Sequence, residues 1–482
     1  MNSLAKIIIG LAVKAIVLFL LLNTSSLEAQ RRSTSVNVNS NGKTTISIKN
    51  GFGNNFSIEY KGDITLTDDD SDVASISRGG YMEIKKSAFG NRRRILIEPN
   101  NSGGLIKKYW VGGSQQNFDS EGKKWLSEIL LEVVRTTTLG SEQRVDRMYK
   151  KGGYYPVLKE VDMIESDYVK TRYLKLLLDK KMDEKGLIGT LKRVGQISSD
   201  HHQADILKHN SKVFLATDAL RTTYIQTTGK INSDHHKASV LKQLVTNEDI
   251  SDNQLKTLFT IAKDINSDHH QASVLLEVMK SRALNPENVK LLIATAKSIN
   301  SDHHRASVLK KALNNDGLSS DAYHALLAST NDMSSDHHIA SVLNDVLKEK
   351  LDQASLSHLL KQVEENMNSD MHQATVLSKI AKEQEVEDAL DAFLAALGEV
   401  NSDHHKATVF KQLARMSFSD KELIQILEAT TTINSDFHQA ESLLSFAPKV
   451  KSSSDAVRDA YMDATEEISS DSHVGRVLKA LR

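Results

Sequence analysis

The sequence contains no cysteine, which excludes disulfide scaffolds, thiolate metal sites, cysteine nucleophiles and a lipidated N-terminal cysteine. Proline is scarce, four in 482 residues, and aromatic side chains make up only 5%. Neither sign of charge is in excess: 61 Lys and Arg face 62 Asp and Glu, a formal charge of −1. The broad basic field that non-specific nucleic-acid binding needs is therefore missing, and no nucleic-acid partner is expected. Catalytic signatures are missing as well. No His is followed by Glu, so there is no His-Glu-x-x-His zinc-protease motif, and neither a Gly-x-Ser-x-Gly elbow nor a phosphate-cradling Gly-x-x-x-x-Gly-Lys-Ser/Thr occurs. No enzyme activity, catalytic residue or cofactor is expected. With 39% hydrophobic and 26% charged residues, the chain can bury sizeable cores but is too polar to be a bundle of membrane spans.

Long apolar runs are confined to the N-terminus. Lys6 and Lys14 precede the apolar residues 15–22, and the small, polar stretch Asn23-Thr-Ser-Ser-Leu-Glu-Ala29 follows, which is the order of a cleavable export signal. The apolar region is 16 residues from Ile7 to Leu22 and is interrupted by Lys14, short of the roughly 20 residues a span requires. Residues 1–29 are therefore read as a signal peptide cleaved near Ala29, and the remainder as periplasmic or secreted. Contact with a membrane would come only through an uncleaved signal. Its removal leaves 59 basic and 61 acidic residues.

Residues 30–115 read as a small β-rich domain. Short alternating runs, Thr45-Ile-Ser-Ile-Lys49, Phe56-Ser-Ile-Glu-Tyr60, Asp63-Ile-Thr-Leu-Thr67, Tyr81-Met-Glu-Ile-Lys85 and Arg94-Ile-Leu-Ile-Glu98, are separated by Asn and Gly clusters and predict antiparallel strands with one buried face. A helix over 120–135, with Trp125, Leu126, Ile129, Leu130 and Val133 on one stripe, is the expected cover. It belongs to a helical adaptor over residues 116–160. Asp68, Asp70 and Asp72 have the spacing of the first EF-hand ligands, but Val73 replaces the turn glycine and Gly79 the bidentate Glu, so an acidic hairpin turn is expected. Arg92, Arg93 and Arg94, near Lys107, Lys108, Tyr109 and Trp110, are read as a solvated strand face.

From residue 161 to 482 a repeat dominates. A Ser-Asp phrase begins at Ser166, Ser199, Ser233, Ser267, Ser301, Ser335, Ser369, Ser402, Ser435 and Ser470, at spacings of 33 to 35 residues. That period accommodates two short helices and two turns, a HEAT/TPR-like α-solenoid, although the tetratricopeptide markers do not recur. In one unit Leu255, Leu258, Phe259, Ala262 and Ile265 form the stripe of a first helix, and Ser267-Asp268 opens a second that runs through Ala272, Val274, Leu275 and Val278. Serine is placed as N-cap and aspartate as first-turn charge in Ser199-Asp200, Ser233-Asp234, Ser267-Asp268, Ser301-Asp302, Ser335-Asp336 and Ser402-Asp403. The expected fold is thus α+β and mainly α, a small antiparallel domain followed by a solenoid of helix pairs.

Fifteen of the 18 histidines lie in these phrases. The first slot holds His in six units but also Tyr168, Met371, Phe437 and Ser472, which no metal ligand would tolerate, so it is read as a semi-buried packing position. The second slot holds His202, His236, His270, His304, His338, His372, His405, His438 and His473, and differs only at Val169. Three residues after the cap, such an imidazole is expected to accept from the cap's own N–H and to link neighbouring units. The alternative is a metal site built from these nine histidines across neighbouring units, since adjacent histidines on one helix diverge by about 100°.

The phrase Ser-Asp-(His/Tyr/Phe)-His-x-Ala-x-x-Leu resembles the Ser-Asp-Tyr-rich α-helical repeats in extracytoplasmic parts of bacterial membrane proteins, including relatives of the beta-lactam-sensor metallopeptidases. Gly62-Asp-Ile-Thr-Leu-Thr-Asp-Asp, Ile76-Ser-Arg-Gly-Gly-Tyr81, Trp125-Leu and Ile164-Glu-Ser-Asp-Tyr168 extend the resemblance over residues 56–482. The resemblance implies a bacterial envelope protein with a sensing or interaction role. The peptidase domain has no counterpart here, so neither proteolysis nor a zinc ligand is implied. The expected function is a noncatalytic interaction scaffold that binds a protein or extended ligand on the solenoid face; the alternative is a metal-buffering or pH-responsive periplasmic protein.

Overall fold

A computed structural model describes residues 33–38, 43–50, 54–88, 90–246, 249–314, 318 and 320–482. The signal read at residues 1–29 lies outside them. Among the described residues, 23 α-helices in a repeated array follow a small antiparallel sheet, so the protein is α+β and mainly α. No helix among them is long and apolar enough to cross a membrane. The chain divides into two compact units after Val213, and each is described by itself.

The first unit opens with a seven-stranded sheet in the order β1 (Ser33–Val38), β2 (Lys43–Asn50), β3 (Asn54–Lys61), β6 (Tyr81–Ala88), β7 (Asn91–Pro99), β8 (Leu105–Val111), β9 (Ser114–Gln116), with every pairing antiparallel. The short strands β4 (Ile64–Leu66) and β5 (Val73–Ile76) form a separate hairpin. The alternating runs become strands, but the sheet is larger than their pattern predicts. β1 and β9 are too polar or too short to show a clean alternation, and β8 carries large side chains on both faces. One face carries Ile58, Met82, Ile84, Ile95 and Ile97, all fully buried, and it shares a core with Trp125, Leu126, Ile129, Leu130 and Val133 of the helix Ser120–Thr136. Each such side chain contributes about 1.5–3 kcal/mol when taken out of water. Asp119 caps that helix by accepting from the Glu121 N–H at 3.0 Å.

Helices Ser141–Gly152, Tyr154–Met163, Asp167–Leu178, Glu184–Val194 and Asp200–His209 continue the first unit. Tyr154–Met163 already packs on Asp167–Leu178, so helix pairing begins inside the segment read as an adaptor. In the second unit, first and second helices alternate from Asp218–Gly229 and Asp234–Val245 to Asp455–Glu466 and Asp471–Lys479. Second helices stack on second helices and first on first, a solenoid-type array. All ten Ser-Asp phrases open a helix whose first residue is the Asp. First helices are punctuated as locally: Ser251 with Gln254 and Ser419 with Glu422 form capping boxes, and Asn285 caps a helix with Pro286 in its first turn.

Candidate functional site

The recurring phrase builds three polar rows, and the best ordered belongs to the aspartates. Serine Oγ accepts from the backbone N–H of the second-slot residue in several units: Ser199 from His202, Ser233 from His236, Ser267 from His270, Ser301 from His304 and Ser402 from His405. These contacts are 3.4–3.5 Å long, at the weak end for N–H···O. Ser335 makes no side-chain cap bond, and there the His338 N–H turns to the Ser335 carbonyl at 2.9 Å.

The cap's own N–H does not go to an imidazole. In five units it is taken by the Asp of the preceding repeat, and in the last three that Asp holds the residue before the cap, Asn401, Asn434 and Ser469. Asp167 Oδ2 accepts from Ser199 at 2.9 Å, Asp234 from Ser267 at 2.9 Å, Asp268 from Ser301 at 2.9 Å, Asp302 from Ser335 at 2.8 Å and Asp336 from Ser369 at 2.5 Å. The residue before the cap is often held too, as Asn300 is by Asp268 and Ser334 by Asp302, both at 2.9 Å. The linkage expected of the histidines is thus made by a carboxylate. Its two oxygens reach main-chain donors about one repeat away while its charge sits at a helix N-terminus.

A second row was the unassigned x of the phrase. Gln203, Lys237, Gln271, Arg305, Gln373, Lys406 and Gln439 are buried. The donors of Gln203, Arg305, Gln373, Lys406 and Gln439 fill carbonyls at the C-terminal ends of first helices and in the adjoining turns, where intrahelical partners run out, and Gln271 donates to the Ser298 hydroxyl at 2.6 Å. Arg305 Nε donates to Ile299 O at 2.8 Å, Gln373 to Met367 O at 2.8 Å and Gln439 to Ala464 O at 2.9 Å. The signal was present in the sequence, as a long donor-bearing side chain between His and Ala in seven of the ten phrases; the opening phrase has Lys170 between Val169 and Thr171. Ile339 and Val474 are the departures.

The imidazoles form the third row. In the second unit His235 lies edge-on to His236 at 5.2 Å between ring centres and to His270 of the next repeat at 5.4 Å. The zigzag continues through His269, His304, His303, His338 and His337 to His372, with inter-repeat spacings of 5.5 to 5.7 Å. It resumes from His405 and His404 through His438 and Phe437 to His473. Met371 interrupts it. These are distances of aromatic edge packing. In the first unit Tyr168 and His201 flank His202 at 6.2 and 5.4 Å. The first slot is not semi-buried as its chemistry predicted: Tyr168 is 61% exposed, Met371 53% and Phe437 49%, and the first-slot histidines are exposed too, whereas the second slot is half-buried. The helix places the second slot against the neighbouring repeat and the first one step outward. Among the described residues no three His, Asp or Glu side chains converge to hold a metal ion.

Burial, the positive charge that His269 and His235 would carry, and Lys242 lower the pKa of His270, against the opposing pull of Asp234. Burial and then His337, His303 and Lys310 do the same to His338 against Asp302. A histidine whose folded pKa is depressed stays neutral below the unfolded value of about 6.5, so the unfolded chain binds more protons there and stability decreases as the pH is lowered. The melting temperature is expected to drop between about pH 7 and pH 5, and replacing His235, His269, His303 and His337 by Gln together to flatten that slope in calorimetry.

The other motifs singled out in the sequence are dispersed. Asp72 pairs with Lys107 at 2.5 Å, Asp70 turns inward at φ +59° to Arg144, and Asp69 accepts from Thr67 and Ser71, which hold its carboxyl at about 2. The acidic hairpin is therefore satisfied by protein donors. Strand alternation separates Tyr109, buried against Trp125, from Trp110, which lies beneath Arg94 at 4.3 Å. Together these features define a helical-repeat protein with a ribbed, imidazole-rich edge. Comparison with protein-family models and with curated proteins finds no match.

Proposed function

We propose that the protein is an exported, noncatalytic interaction scaffold of a bacterial envelope. The observation that carries this reading is the exposed row of first-slot side chains, His235, His269, His303, His337, Met371, His404 and Phe437, delivered to the same place by successive repeats of the second unit. Repetition at a spacing fixed by helix stacking suits an extended partner, which meets the same chemistry at each step. Exposed imidazole, aromatic and thioether groups offer both apolar contact and hydrogen bonds, a mixture suited to protein surfaces. The Ser and Asp beneath them hold the row rigid, so little side-chain order has to be created on binding.

The reading is tested by placing a photo-crosslinking amino acid at His303 or Phe437, and at the exposed first-helix positions Lys256 or Glu428 as controls, in cells of the source. Discrete adducts from the row and none from the controls are expected. Equal labelling from all four positions, or none from the row, overturns it.

A further inference from the structure

We propose that the outer face of the sheet carries a binding site for an acidic glycan, centred on Trp110, Arg92 and Lys85. The face opposite the hydrophobic core holds a cavity of about 440 Å³, lined among others by Asn55, Ser57, Lys85, Arg92, Arg94 and Trp110. This is within the roughly 300–1,000 Å³ of small-ligand sites. Strand pairing assembles it. Ser57 lies opposite Lys85, Lys85 opposite Arg94 and Arg94 opposite Trp110, so four adjacent strands each present one polar or aromatic group to the same side.

The charge around the cavity is not balanced. Lys86 and Arg93, also in its lining, are spent on Glu132 at 2.5 Å and Glu121 at 3.2 Å. Glu83, 8% exposed, lies 2.5 Å from both Lys85 and Arg94, so one carboxylate serves two cations. Arg92 is exposed and has no carboxylate partner among the described residues. Lys86 and Arg93 share the register of the core residue Phe56 and pair with the covering helix, so on the outer face Lys85, Arg92 and Arg94 meet the one carboxylate of Glu83, and the surplus positive charge lies beside an indole, an amide and a hydroxyl. An anionic group on the ligand answers the surplus. A sugar ring answers the rest, with hydroxyls for Asn55 and Ser57 and an apolar C–H face for the part of the half-buried Trp110 indole that the Arg94 guanidinium, 4.3 Å from the ring centre, leaves open. A nucleic acid fits less well, because the positive track is short: farther along the same face Lys43 is paired with Glu59 at 2.8 Å and Lys108 with Glu98 at 3.0 Å.

The test is calorimetric titration of the full chain with a short oligogalacturonate, its neutral methyl ester, oligoglutamate and a single-stranded oligonucleotide. The acidic sugar is expected to bind one to one, with affinity that falls as salt rises, and the other three to bind at least about tenfold more weakly. Trp110→Ala and Arg92→Gln are each expected to weaken the acidic sugar about tenfold. Lys108→Gln, the same loss of charge on the same face outside the cavity, is expected to leave it unchanged. Arg92 is exposed, so an unaltered melting temperature in that variant separates loss of the site from loss of the fold. Equal binding of the methyl ester, tighter binding of oligoglutamate or the oligonucleotide, or full affinity in Arg92→Gln overturns the proposal.

Discussion

Replacing Arg144 by Ala is expected to cost about 3–5 kcal/mol, the range for leaving buried charges without their partner. Arg144 is 2% exposed and donates to Asp70 at 2.7 Å, to Glu160 at 3.1 Å and to the Tyr173 hydroxyl. Asp70 comes from the hairpin of β4 and β5, Glu160 from Tyr154–Met163 and Tyr173 from Asp167–Leu178. One guanidinium therefore fastens the hairpin to the first helix pair. Arg147 adds a second contact to Asp70, and Arg135 grips Glu160 with two bonds of 2.8 and 3.0 Å. Arg144→Lys is expected to rescue little, since an ammonium cannot reach three acceptors in the planar fork. Chemical denaturation of the full chain measures the loss. A change below about 1 kcal/mol, the range of exposed pairs, would show that the cluster is not the clasp described.

The same cluster has an acid limit. Burial alone would raise the Glu160 carboxyl, but Arg135 and Arg144 hold it below its usual range. A carboxylate with a depressed folded pKa contributes fully above the unfolded value of about 4.3, and that contribution is lost as pH falls through the folded pKa. Wild type is therefore expected to lose more stability than Arg144→Ala over that window, and the gap between them to narrow.

Asp302→Ala is expected to cost about 2–3 kcal/mol, because a charged acceptor is removed from two main-chain donors at once. Ser334 and Ser335 would both lose it, and Ser335, with no side-chain cap bond, has little local compensation. The effect should be local. Hydrogen exchange at the Ser334 and Ser335 amides is expected to accelerate, with amides of distant repeats unchanged. His303→Ala, which removes only an exposed ring from the zigzag, is expected to change stability by less than about 1 kcal/mol. Were His303→Ala the more damaging variant, the imidazoles and not the aspartates would be the structural row.

The ten helix starts were legible because a cap is a local device, in which Ser, Asp and the following N–H groups lie within four residues and need no tertiary partner. The Phe56 and Tyr81 runs were legible because period-two alternation survives wherever one face is buried. β8 was harder to see: Leu105-Ile-Lys-Lys-Tyr-Trp-Val111 carries large groups on both faces, one buried against Trp125 and the other lining a cavity. Arg144 had no local signal. It stands in the polar stretch Glu142-Gln-Arg-Val145, and its partners lie 74, 16 and 29 residues away.

By itself the sequence determined where each rod begins, how long the period is and which residue types return in it, since these depend on neighbours in the chain. Stacking decided what the returning residues do. It handed the cap's N–H to an aspartate 33 residues upstream, turned the first slot outward and drew the buried Gln, Arg and Lys toward orphan carbonyls. A hydrogen bond between layers exists only when two helices are brought to one distance and angle, and side-chain packing sets both, which no single repeat contains.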